Sequence, residues 1–386
     1  HVNRRTAWQL AVICMAVWII HPLLVSTTAY VIQRMTQLAS LFVLTGLLSY
    51  LHGRKMLDSQ QGRGWAWILL GMGASGALAI LSKESGILLP LFALVIELTV
   101  FSHTSLARGR KTALLALLVV PSLAMPAYVV LNWDALQAGF EFRPFSLGER
   151  LLTQAVVLVE YLRQVFAPSL SGLGIIHDDF PVSRSLLNPV STILSLLVIV
   201  TIVAGAVWQR RRWPLVSFGI LWFVAGHSLE AGPLPLELYF DHRNYLPLIG
   251  PVIAVCSLLP RMPSRFGRYA WIGVALFLAF EAFITWQSAK LWSDEDLMMR
   301  VASVHHPDSL RVQQYAGNKL ILAGRFELAL EVEESFAANF PEHTASRLSV
   351  LNVKCLTGTI TPAQIDAGRW FVASGAFDRL VATFFP

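Results

Sequence analysis

Long apolar runs, each broken by a few polar residues, dominate the first three quarters of the chain. Runs of spanning length cover roughly 7–25, 31–51, 65–81, 86–101, 112–132, 189–208, 214–230, 245–260 and 269–287. They predict about nine membrane helices, of which 86–101 is short and holds Glu97. The segment 149–168 reads differently. Arg150, Glu160 and Arg163 punctuate an apolar background, the pattern of an amphipathic helix lying in the interface plane. From about 289 the pattern turns soluble and helical.

Composition agrees with the pattern. The 386 residues are 55% hydrophobic and only 14% charged, against about a quarter charged in an ordinary soluble domain. The expected fold class is therefore all-α: a polytopic helical bundle over 1–288 and a small soluble helical domain over 289–386. The net charge of +6 comes from short clusters between spans. No basic helix or aromatic-interleaved patch is present, which argues against nucleic acid as a partner. Three scattered cysteines make no disulfide framework, and Cys14 and Cys256 lie in apolar runs as core residues. Neither CxxC nor HExxH occurs, so a zinc site has no sequence support.

The loops differ in kind. Arg4 and Arg5, Arg54, Lys55 and Arg63, Arg108, Arg110 and Lys111, Arg210 to Arg212, and Arg261, Arg265 and Arg268 all fall on one side of a nine-span topology. The positive-inside rule makes that side cytoplasmic. The other side receives the turns that mix acids, bases, His and Pro, together with the C-terminal domain. Mixed charge suits a reaction site; simple basic loops are topological anchors.

Four stretches on the mixed side could carry chemistry. In "LSKESG", Lys83 can hold an anionic headgroup with Glu84 orienting it; a snorkelling pair at a helix end gives the same pattern. In "HPLLVSTTAYVIQR", His21 and Pro22 end one helix and Arg34 begins the next, where arginine either snorkels or grips phosphate. In "HDDFPVSR", His177, Asp178 and Asp179 hint at an oxygen-ligated divalent metal, although adjacent carboxylates seldom share one ion, and Arg184 can pair with them. In "LELYFDHRNYLP", Glu237, Asp241, His242 and Arg243 precede a span. Arg243 and Tyr245 are expected on the first turn of that helix, whose N-terminus favours phosphate.

In the C-terminal domain Pro307 and Pro341 stand 34 residues apart, with Gly317 and Ala329 at the small positions where two helices would touch. This is the tetratricopeptide period. Gln313 replaces the expected bulky aromatic, and a second repeat over 343–374 is degenerate. A generic helical hairpin remains the alternative.

Taken in order, "HPLLVSTTAYVIQRMTQLASLF", "LSKESGILLPL", "HDDFPVSRSL" and "LELYFDHRNYLPLIG", followed by tetratricopeptide-like helices, resemble bacterial relatives of the transmembrane, tetratricopeptide-containing O-mannosyltransferases. The resemblance covers about 1–340. It implies a C-type glycosyltransferase fold in the bacterial inner membrane, with the tetratricopeptide-like domain on the periplasmic side. The implied reaction moves a mannose-like monosaccharide from a polyprenyl-phosphate donor to an acceptor hydroxyl, on a protein or glycan held by the C-terminal domain. The match carries over Lys83 and Glu84, Arg243 and Tyr245, and His21 and Arg34. The family's acidic base lies in a first outer loop that this sequence is expected to lack, with about two helices missing before His1. Glu84, Asp178 and Asp241 are the substitutes by default. The implied mechanism is a single displacement: a carboxylate takes the acceptor proton, while Arg243 and Lys83 stabilise the departing phosphate, and no metal is required. The competing readings are a ligase using a diphosphate-linked donor, a transporter, and an inactive membrane-tethered scaffold. A transporter predicts mid-span charges and internal repeats; only Glu97 and Glu281 are such charges, and no repeat is visible.

Overall fold

The computed structural model describes residues 3–141, 143–174, 176–339 and 344–373. Among the described residues the chain is helical, with no β-strand. In chain order the helices are α1 Arg4–Ile20, α2 Arg34–Met56, α3 Gln61–Ser82, α4 Leu89–Thr99, α5 Arg108–Leu131, α6 Leu147–Phe166, α7 Ser191–Gln209, α8 Pro214–His227, α9 Ile249–Cys256 and α10 Ser264–Ser293. The remaining helices are α11 Glu295–His305, α12 Leu310–Leu322, α13 Phe326–Asn339, α14 Thr344–Leu356 and α15 Pro362–Ala373.

Every apolar run carries a helix, but the helices are of two kinds. Five are long and apolar enough to cross a membrane: Val31–Met56, Gln61–Ser82, Arg108–Leu131, Ser191–Gln209 and Gly267–Ser293. A sixth is the bent pair Arg4–Ile20 and Pro22–Ala29, broken by 54°. Pro22 supplies no backbone N–H at that break, and His21 Nδ1 accepts the Leu23 N–H instead, at 3.2 Å. The helices α4, α8 and α9 are shorter and more buried. Large apolar side chains such as Leu70, Leu81, Val130, Leu131 and Leu197 are exposed on the long ones, as hydrocarbon-facing surfaces require. These are the features of a multi-pass membrane protein.

Small residues set the closest approaches. α8 and α9 cross where Gly219 and Gly250 face each other; a Cβ on Gly219 would lie 2.2 Å from the Gly250 carbonyl oxygen. Phe92 of α4 packs on Trp222 of α8 with ring centroids 4.1 Å apart. The two mid-span carboxylates differ: Glu97 is fully partnered, whereas neither buried oxygen of Glu281 has a hydrogen-bond partner among the described residues. Glu97 receives a forked pair of bonds from Arg54 at 2.9 and 3.0 Å and a third from Tyr50. Arg54 is therefore a buried internal partner and not the loop anchor its position suggested. Glu281 lies 3.7 Å from His21 Nε2.

The two ends of the bundle differ as the loops suggested. At one end Arg110 donates to the Leu57 carbonyl and to Asp58, and His103 meets the Arg211 carbonyl. The mixed-charge turns meet at the other end of α2. Thr36 and Arg54 lie 18 residues apart on that helix, roughly 27 Å at 1.5 Å per residue.

α10 runs unbroken through the boundary expected at 288/289, and Asp294 caps α11 by accepting the Leu297 N–H. α12, α13 and α14 then form antiparallel hairpins. Ala329 is fully buried, and Gly317 packs against Glu333. Pro341, 343 and 374–386 lie outside the described residues.

Candidate functional site

The site begins with a turn that only glycine permits. Lys83 ends α3 in an extended conformation, and the chain doubles back so tightly that a Cβ on Gly86 would lie 2.3 Å from the Ala79 carbonyl carbon. The two charges of the turn are thereby separated. Lys83 points inward and is buried, while Glu84 is exposed.

The partner of Lys83 comes from 147 residues away. Glu230, in the turn after α8, accepts from Lys83 Nζ at 2.9 Å, and its other oxygen is 3.5 Å from Arg243 Nε. Burial alone would raise this carboxyl; the cations of Lys83 and then Arg243 outweigh it and hold it at about 2. Glu230 is thus a fixed anion bridging two buried cations.

Arg243 is not on the first turn of a membrane helix. Residues Asp241–Asn244 form one 3₁₀ turn, and α9 starts only at Ile249. Pro247 explains the delay, because it lacks an N–H and disfavours helical geometry at Leu246. From this turn Arg243 reaches back and donates to the Leu238 and Glu237 carbonyls at 3.0 and 2.8 Å.

Two further arginines hold the same segment. Arg150, fully buried on α6, donates to the carbonyls of Glu230, Gly232, Leu236 and Glu237. Burial, then the like charges of Arg243 and Arg143, push it down to about 9. Arg143 donates to the Pro235 carbonyl and pairs with the Glu237 carboxylate at 2.8 Å. Six carbonyls of this segment, those of 230, 232 and 235–238, are thus met by guanidinium groups, as buried acceptors require.

A cleft of about 30 Å³ opens above Lys83, Glu230 and Arg243, room for about one water molecule. Thr36 and Ser40 of α2, with His242 and Tyr245, also line it. The Tyr245 ring packs edge-on against Trp18 at 5.1 Å. His242 stacks on Phe240 at 5.0 Å; burial, then the Lys83 cation, hold its imidazole at about 3. Leu88 is shared with a second, apolar cavity of about 400 Å³, between Ile87, Leu91, Pro121, Met125 and Val129.

The structure therefore brings Lys83, Arg243, His242 and Tyr245 together, but not the other expected residues. Arg34 is exposed and bonds Gln37 on its own helix at 3.2 Å. His21 is buried against the Val165 carbonyl at 3.1 Å. The HDD run divides its three side chains. His177 Nε2 is 3.5 Å from Asp241 Oδ1, whose Oδ2 accepts the Gly174 N–H at 2.7 Å. Asp178 accepts from Ser309 Oγ and from the Arg311 N–H at the start of α12. Asp179 pairs with His306 at 2.9 Å. Among the described residues no three His, Cys, Asp or Glu side chains are grouped to hold a metal ion. Glu237 joins Arg143 to Arg311, the latter at 3.7 Å.

Sequence reasoning missed the roles of Glu230 and Arg150. Glu230 closes an apolar run and is not among the sequence candidates, and Arg150 is there only a mark of amphipathicity. No family model, curated protein or solved structure matches the chain.

Proposed function

We propose that the protein is a membrane glycosyltransferase that takes a monosaccharide from a polyprenyl-phosphate donor and passes it to an acceptor hydroxyl. One observation carries the reading: a buried cleft with two cations adjoins a large apolar cavity across the single side chain of Leu88. An amphiphile with an anionic head and a hydrocarbon tail matches that pairing in polarity, and the cleft, at about 30 Å³, has to widen to admit its phosphate. Its phosphate meets Lys83 and Arg243, and the remaining N–H groups of Lys83 are the donors best placed for growing charge on a departing phosphate. The sequence resemblance points to the same donor class. The docked helices α11 and α12 would present the acceptor.

The test is transfer of radiolabelled sugar from polyprenyl phosphate in membranes containing the protein. Lys83→Gln is expected to lower transfer at least a hundredfold, the order of one lost oxyanion donor, while Arg34→Gln leaves it unchanged. A folded Lys83→Gln protein that transfers sugar at the wild-type rate would refute the proposal.

A further inference from the structure

We propose that His242 is the third phosphate ligand of the cleft, and that arrival of the anion brings a proton to its imidazole. The inference rests on the donor-phosphate reading above and adds a ligand and a proton to it.

The 3₁₀ turn Asp241–Asn244 sends its charged side chains in different directions. Asp241 turns inward to the Gly174 N–H. Arg243 turns back to two carbonyls and Glu230. His242 lines the cleft, half-buried, with its ring plane fixed by stacking on Phe240 at 26°. Its side chain makes no hydrogen bond or ion pair with another described residue. It is the uncommitted titratable nitrogen base of the cleft, poised beside two cations.

The groups facing it come from four elements. Lys83 and Ser85 lie in the turn before α4, Glu230 in the turn after α8, Arg243 beside it, and Thr36 and Ser40 on α2. Two cations and one carboxylate leave one net positive charge. Burial and that charge keep the imidazole neutral, at about 3. A bound phosphodiester cancels the net charge, and a proton from solvent on His242 then restores the value the empty cleft already tolerates. A single negative charge about 4 Å away favours protonation by roughly a thousandfold at an effective dielectric near 20. That carries the imidazole from about 3 to within reach of pH 5.5–6. The charged imidazole then donates to the anion.

The experiment uses the whole protein in detergent and two anions that do not titrate between pH 5 and 8. One is citronellyl-phosphomannose, a lipid-linked phosphodiester; the other is inorganic sulfate. Calorimetry in buffers of different ionisation heat reads the protons taken up, and the affinity is followed from pH 7.5 to 5.5. Affinity should rise about two- to fourfold over that range, with an uptake of about one half to three quarters of a proton at the acid end. In His242→Gln both effects should vanish while binding persists. Nitrogen-15 shifts of the wild-type His242 ring on adding sulfate provide a readout independent of the variant's folding, and should report protonation. Binding that is flat with pH, or an unchanged pH dependence in His242→Gln, overturns the proposal. Coupled binding of sulfate without citronellyl-phosphomannose supports His242 as an anion ligand and overturns the lipid-donor reading. Binding of neither anion at any pH overturns both.

Discussion

Glu230→Gln keeps the shape of the side chain that bridges Lys83 and Arg243 and removes its charge. At an effective dielectric near 20, full charges 2.9 and 3.5 Å apart attract by about 6 and about 5 kcal/mol. Burial opposes this. The net effect is read from the carboxyl itself, moved from an ordinary 4.5 to about 2, which at 1.36 kcal/mol per pH unit is about 3 kcal/mol. Burial therefore offsets most of that attraction, the usual balance for a buried ion pair. Because the folded value is depressed, the contribution is whole above pH 4.5 and is lost as pH falls towards about 2. The assay is unfolding of the solubilised protein by added SDS at pH 7, for Glu230→Gln, Lys83→Met and the double variant. Glu230→Gln should lose about 3 kcal/mol, and the coupling between the two substitutions should exceed about 1.5 kcal/mol. A coupling under about 0.5 kcal/mol would mean that Glu230 is not held by Lys83, and the bridge would be wrong.

Three other substitutions probe the frame around the bridge. Arg54→Ala leaves buried Glu97 with the Tyr50 hydroxyl but without its cation and should cost about 3–5 kcal/mol in the same unfolding assay, whereas Arg54→Met with Glu97→Leu should recover most of the loss. Arg150→Ala leaves buried carbonyls of 230–238 unpaired and should cost about 3 kcal/mol or more, with faster hydrogen exchange at 230–238 as the local sign. His306 is raised above its usual value, chiefly by its hydrogen bond to Asp179. Its stabilisation is complete below about pH 6.5 and is lost as pH rises through the raised value, so the hydrogen-exchange protection factors of α12 should fall across that window, and this fall should disappear in Asp179→Asn.

Local features of the fold were legible because local physics governs them. The Pro22 break, the α3-to-α4 turn and the amphipathic α6 all follow from residues a few positions apart. What was not legible depends on which distant groups meet. Nothing near Lys83 in sequence announces Glu230, and Arg150 looks like any interfacial arginine until Gly232 and Leu236 fold onto it. Arg34 illustrates the converse. It has the residue type and the neighbourhood of a phosphate ligand, but it begins α2 on the exposed face, where pairing with Gln37 satisfies it. Residue type proposes a ligand; the angular position on the helix decides whether it reaches the site.

The same distinction reorders the two cations. Arg243 is expected as a phosphate clamp at a helix N-terminus that the structure does not place there. Its Nε and both terminal nitrogens are instead committed to Glu230 and to the Leu238 and Glu237 carbonyls. Removing it releases the segment that carries Glu237 and frees Glu230 to move, so lost activity in Arg243→Ala would not separate clamp from scaffold. Lys83 has one bond, to Glu230, and two N–H groups left over. An incoming phosphate can take those without breaking the bridge. Lys83→Arg therefore tests the site more sharply than deletion of Arg243. It keeps the charge and the Glu230 contact but replaces a compact ammonium with a planar fork, and the free cleft of about 30 Å³ has little room for the exchange. A rate that falls while Glu230 stays paired would assign the chemistry to the ammonium group of Lys83.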